Sequence, residues 1–195
     1  MISQILEGLA DERQAKQEKS NIYMNYIKQH KENVIHAYNF YMVPLMNRTK
    51  SRELQEAIIK AGKNVQYHDL SKYEPIEFEA YRQHFYPTEF EKNEPGFEER
   101  LKPLYDAAWE HHHRNNEHHP EHWAEDGNKQ DMPLEFIIEM ICDWAAMAMY
   151  FKSRTKDWWE SDKTQNDEAT YMTDFTKEWV NTLLYKLLPD IDYRG

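Results

Sequence analysis

Ten histidines stand among the 195 residues, and six of them crowd between His111 and His122 in the run HHHRNNEHHPEHW. Imidazole is the commonest side-chain ligand for transition metals, and carboxylates complete such sites. A histidine run alone reads equally well as a solvated loop at a helix end. His68-Asp69 is more specific, because an adjacent pair can direct both side chains at one cation, and the carboxylate can bridge to a second. The same dipeptide also suits a capping aspartate beside a surface histidine. Asp143 is the strongest signal. It lies midway along MPLEFIIEMICDWAAMAMYFKS, the most apolar stretch of the chain, where an unpaired carboxylate would cost several kcal/mol. A bound cation would compensate it, as would a salt bridge or a hydrogen bond. His30 poses a milder form of the same problem. It falls within a helical stripe made of Tyr23, Tyr26, Ile27, Val34, Ala37, Tyr38 and Tyr41, whereas His36 points about 120° away on the polar face.

The elements that must position these residues read as helices throughout. A charged, solvated helix is expected over 2–19 and a second over 21–46, capped by Ser20 or Asn21. A third covers 51–61 and ends at Gly62. The segment NVQYHDLSKYEP then carries the His-Asp pair, and Pro75 starts a helix to about residue 84. Residues 86–95 read as a loop, and 97–114 as a helix tilted or kinked near Pro103. The histidine run ends that helix and forms the loop after it. Residues 124–131 form a turn, Pro133 opens the apolar helix, an aromatic segment holds Trp158-Trp159, and a terminal helix covers 167–188. No period-2 strand stands out. The expected architecture is all-α, a single domain over 1–195 of about seven to eight helices, with 1–20 peripheral and 21–188 forming the core.

Composition bounds the function. Only 5 glycines favour helices over a turn-rich β fold. A net charge of −11 argues against a duplex nucleic acid as partner. It leaves room for a small phosphate ester held by a metal. The single cysteine, Cys142, excludes an internal disulfide framework and suits a reducing cytoplasm. The first residues lack a basic start and an apolar run, so no signal peptide is expected, and no stretch is long enough for a membrane span. The methionines of the late helix read as core filling, and the Trp pair as an aromatic lid over the core.

The order His30, then HDLSK at 68–72, then Asp143 in a late buried helix resembles the H…HD…D signature of the HD superfamily, all-helical metal-dependent phosphohydrolases. The resemblance implies that His30, His68, Asp69 and Asp143 ligate one metal. Lys72 is similar to the lysine of the HD-x-x-K form in the HD-GYP branch, where it lies near the reacting phosphate. His118-His119, Asp126-Gly127 and Met132-Pro133 fall in comparable order to that branch, although the GYP residues are absent. Nearly the whole chain looks like a family of uncharacterised HD-related proteins of bacteria and phages, through Y-I-x-x-H-K-x-x-V, HD-x-SK, A-W-x-x-H-x-x-x-N-x-HH and EMICDW. The implied activity is hydrolysis of a nucleotide or related small phosphoester by one or two divalent ions (Mn, Fe, Zn, Ni or Mg). Asp69 would bridge the ions, His112, His118 and His119 would supply the second, and Lys72 would contact the phosphate. A homodimer is compatible with this reading. Two other readings stand beside it. One is an HD fold that binds a nucleotide or a protein without turnover. The other is a ferritin-like di-iron bundle, which needs two Glu-x-x-His units where only Glu110…His113 matches.

Overall fold

A computed structural model describes residues 2–125 and 127–191, without the side chains of 2–5 and 125. The chain is all-α. Its first element, α1, runs unbroken over Ile2–Ala37, where a break at Ser20-Asn21 was expected. Neither residue acts as a cap. Serine and asparagine cost only about 0.5 kcal/mol each inside a helix, and no proline interrupts the flanking Lys, Glu, Gln and Ala. The contacts gather into two compact units, Met1–Gln29 with Asp69–His112, and His30–His68 with His113–Gly195.

In the first unit a 3-10 turn over Leu70–Tyr73 leads into α4 (Pro75–Phe85), α5 (Glu89–Lys92) and the beginning of α6 (Phe97–Asn115). Tyr23, Ile27, Ala80, Tyr81 and Ala108 form a small aromatic core, with Tyr26, Phe78, Tyr86 and Tyr105 against it. The segment read as a plain loop contains α5, closed by a capping box: Glu91 N–H donates to Thr88 Oγ1, and Thr88 N–H donates to Glu91 Oε2. The T-x-x-E spacing is the signature of this motif. The same Glu91 receives both terminal nitrogens of Arg82, at 2.6 and 2.7 Å, and Arg82 also donates to Glu79 at 2.8 Å. Arg82 is wholly buried, so its charge is compensated by carboxylates rather than by water.

The second unit holds the larger apolar core. Here α1 ends in a π-helical turn, Tyr38–Met42, followed by α2 (Val43–Arg48). Val43 N–H donates to Tyr38 O. This shifted register precedes Pro44, which has no N–H to offer the ladder. The helix α3 covers Arg52–Asn64, capped by Ser51 Oγ accepting from Leu54 N–H. Gly62 does not end α3; it lies inside it. A Cβ there would meet the Tyr38 hydroxyl, which donates to Ile58 O at 2.9 Å. Close approach of the tyrosine, not a turn, requires the glycine. After α6 come a 3-10 turn over Pro120–Trp123 and a two-residue pairing of β1 (Ala124–Glu125) with β2 (Asn128–Lys129) across Gly127 at φ +79°. This pairing corrects the expectation of a plain turn, and its two-residue length explains why no period-2 pattern announced it. Asp126 lies outside the described residues.

The apolar α7 (Leu134–Phe151) packs against α3, α8 (Thr155–Glu160) and α10 (Asp174–Asn181). Its Trp144 stacks on Trp159 at 5.8 Å, in keeping with the lid reading of the Trp pair. After α9 (Asp162–Asn166), the terminal helix expected over 167–188 is three pieces: a 3-10 turn (Glu168–Thr170), α10, capped by Thr173, and a π-helical turn over Thr182–Leu187. Thr173 Oγ1 accepts from Thr176 N–H, so the α-helix starts seven residues later than its hydrophobic pattern suggested. Among the described residues, no helix is long and apolar enough to cross a membrane.

Candidate metal centre

In the second unit four elements bring imidazoles and carboxylates together. His30 comes from the buried stripe of α1, His68 from the turn after α3, and His118 from the loop after α6; each is at most 5% exposed. Glu139 and Asp143 come from α7, four residues apart and so on one helical face. His68 Nδ1 donates to Glu139 Oε1 at 3.0 Å, and His118 Nδ1 lies 3.5 Å from the same oxygen. A proton held on Nδ1 leaves the Nε2 of His68 with the lone pair that a metal needs. That Nε2 is 3.3 Å from His30 Nε2 and 3.8 Å from Asp143 Oδ1, and His30 Nε2 is 3.0 Å from the same Asp143 oxygen. Donor atoms of His68, His118 and Asp143 lie within 4.8 Å of one another.

Asp143 is the point of tension. Its Oδ1 is buried, and no donor among the described residues aligns a hydrogen bond with it. Burial pushes the carboxyl up, but the adjacent His30 imidazole, with those of His68 and His118, outweighs burial and holds it well below the usual carboxylate range. The group is therefore an anion in the interior, facing nitrogens rather than a lysine or arginine. Burial and the charges of Glu139 and Asp143 raise the Cys142 thiol far above its ordinary value, which makes it a packing residue and not a thiolate ligand.

The first unit contains a related arrangement with a different outcome. Asp69 adopts left-handed backbone at φ +56°, which a short polar side chain tolerates. Its Oδ2 accepts from Lys72 Nζ at 2.5 Å, and its Oδ1 lies 3.4 Å from His112 Nε2. The other nitrogen of His112 donates to Glu77 Oε2 at 2.9 Å, while His111 Nδ1 donates to Glu77 Oε1 at 2.7 Å. Glu77 is fully buried. Burial pushes its carboxyl up, and the hydrogen bond and charge of His112, then the hydrogen bonds of His111 and Ser71, more than reverse this.

His30, His68, His118 and Asp143 meet in the second unit, with His119 next to His118 at a ring separation of 4.4 Å. Asp69, Lys72 and His112 meet in the first. His36 and His84 are exposed, as is Glu110 of the Glu-x-x-His pair. Sequence reasoning missed the two carboxylates that orient the imidazoles, Glu139 and Glu77. Glu139 had a readable signal, an acid one helical turn before Asp143 in an otherwise apolar run. Glu77 had none, since an acid in the first turn of a helix needs no further explanation.

Neither the curated proteins nor the solved structures hold a match to this chain. A family model does match it, over residues 19–186, and that span takes in both histidine sets and the whole of α7. The chain belongs to that family, DUF5662, a family of unknown function.

Proposed function

We propose that the chain is a divalent-metal-dependent phosphohydrolase acting on a nucleotide or a related small phosphoester, with a metal held by His30, His68 and Asp143 and completed by His118. One observation carries the metal part: the Asp143 oxygen is buried without an aligned donor, yet sits among imidazoles whose Nε2 atoms face it. A divalent cation supplies the missing charge, and the three-nitrogen, one-carboxylate donor set suits Zn, Fe, Mn or Ni. When bound, such an ion lowers the pKa of its water and polarises a phosphoryl oxygen. Glu139 keeps the protons on the Nδ1 side of His68 and His118, so that both imidazoles present their other nitrogen.

The hydrolytic part rests on resemblance to the HD superfamily, which also gives Asp69 a ligand role and Lys72 the phosphate. Both residues sit in the first unit, where Lys72 is an ammonium already committed to a carboxylate. Protein purified without chelator is expected to carry a divalent metal, and Asp143→Asn to lose it. Metal-loaded protein is then offered a panel of nucleotides and cyclic dinucleotides with Mn. Turnover that disappears in Asp143→Asn supports the reading. A protein that neither holds nor rebinds metal refutes the metal centre, and a metal-loaded protein that turns over nothing refutes the hydrolase.

A further inference from the structure

The second unit contains another group of donors, which adjoins the cluster around Asp143 only through the neighbouring rings of His119 and His118. His113 stands in the last turn of α6 and is 8% exposed. The chain then folds back: His119 N–H donates to Asn116 O at 3.1 Å, and the 3-10 turn Pro120–Trp123 follows. This returns His119 to His113, with ring centroids 4.8 Å apart, and sets Glu121 beside both. Ligand atoms of His113, His119 and Glu121 all lie within 4.8 Å of one another.

We infer that His113, His119 and Glu121 form a separate binding site for a divalent transition metal, zinc by preference. The decisive atom is Glu121 Oε2. It is buried and has no hydrogen-bond partner among the described residues, although two imidazoles are its neighbours. A carboxylate placed there only for structure would take an N–H from one of them. The surroundings add negative charge rather than relieve it. The turn carrying Glu121 packs against Glu168–Thr170, and burial, with the charges of Glu168 and Asp167, raises the Glu121 carboxyl against its own backbone N–H and Lys163. Two imidazoles and one carboxylate match the three-protein-ligand form of zinc sites, which leaves a fourth position open. Tetrahedral zinc would draw the donors to about 3.3 Å apart, given bonds of about 2.0–2.1 Å. Side-chain rotation on a short turn permits that contraction.

This inference does not rest on the phosphohydrolase reading, nor on an ion at His30, His68 and Asp143. The two centres separate by variant. Chelator-stripped protein is titrated with Co(II) and with Zn, reading bound equivalents by dialysis and elemental analysis and the Co(II) geometry by its visible absorption. Glu121→Gln and His113→Ala are each expected to lose one bound equivalent relative to wild type, together with its tetrahedral Co(II) absorption. Asp143→Asn is expected to keep that equivalent and absorption. Should His113→Ala fail to fold, the conservative Glu121→Gln decides the matter. Unchanged stoichiometry and spectrum in folded Glu121→Gln, or loss of all metal in Asp143→Asn, would overturn the proposal.

Discussion

Each unit of the molecule contains a histidine whose Nδ1 side faces a glutamate and whose Nε2 side faces an aspartate. In the first unit these are Glu77, His112 and Asp69; in the second, Glu139, His68 and Asp143. The surroundings differ. Asp69 has Lys72 at 2.5 Å, and Glu77 has an imidazole on each oxygen. Asp143 has no lysine, only the imidazoles of His30 and His68, within ion-pair distance. The first arrangement closes its own charge balance. The second leaves an anion that a cation would neutralise. Residue types and spacing alone do not reveal this difference; the lysine on one aspartate and the imidazoles on the other do.

Removing the closed network should have the largest effect. Glu77→Ala strips two buried imidazoles of their acceptor, and a loss of about 3–5 kcal/mol is expected from urea unfolding. In chelator, Asp143→Ala should cost distinctly less, because it removes a carboxylate that the fold leaves incompletely satisfied. Equal losses would break the comparison. Metal should reverse the order. At about 100 times its dissociation constant, a bound ion adds about 2.7 kcal/mol, raising the melting temperature by roughly 5–10 °C for a chain of this size. Thermal unfolding should show this rise in wild type and in Lys72→Met, and show that it shrinks in Asp143→Ala. Smaller still is the contribution of Glu139, which orients ligands without joining them. Glu139→Gln is expected to weaken metal binding about 10–100-fold by isothermal titration, while Glu77→Gln leaves it unchanged.

Much of this was legible in the sequence where a single physical rule dominates. The apolar run around Asp143 announced a buried helix, and the carboxylate within it announced a charge that its surroundings must balance, here with imidazoles. Helical phase separated the buried His30 from the exposed His36. Legibility failed where tertiary contact overrides a local signal. Gly62 reads as a helix end, yet its purpose is room for Tyr38, a residue 24 positions earlier. Ser20 and Asn21 read as caps, but capping preference is weak beside an uninterrupted helical flank. Which carboxylate orients each imidazole was hidden for a similar reason. Linear order does not tell that Glu77 takes the Nδ1 side of His112, 35 residues away, or that Glu139 takes that of His68, 71 residues away.

The smallest effect expected is one of pH, and it has opposite signs at Glu77 and at Glu168. Glu77 is depressed in the folded protein. Its contribution is present above the unfolded-state value of 4.5 and is lost as pH falls through its folded value. Glu168, in the second unit, goes the other way. Burial, with Asp143 and Asp167 acting against Lys163, pushes it up to about 7. A carboxyl raised in this way binds its proton more tightly in the folded state, so its contribution is full below the unfolded value of 4.5. Stability then declines as pH rises from 4.5 to about 7. In metal-free protein the urea midpoint should fall across that interval, in which Glu121, also raised to about 7, takes part, and Glu168→Gln should lessen the fall without changing the acid limb to which Glu77 contributes. Metal at Asp143 should flatten it too, because neutralising that carboxylate removes one of the charges that keep Glu168 protonated. A midpoint profile that Glu168→Gln leaves unaltered would show that the negative potential of the second unit is already balanced by the protein alone. It would remove the contrast with the first.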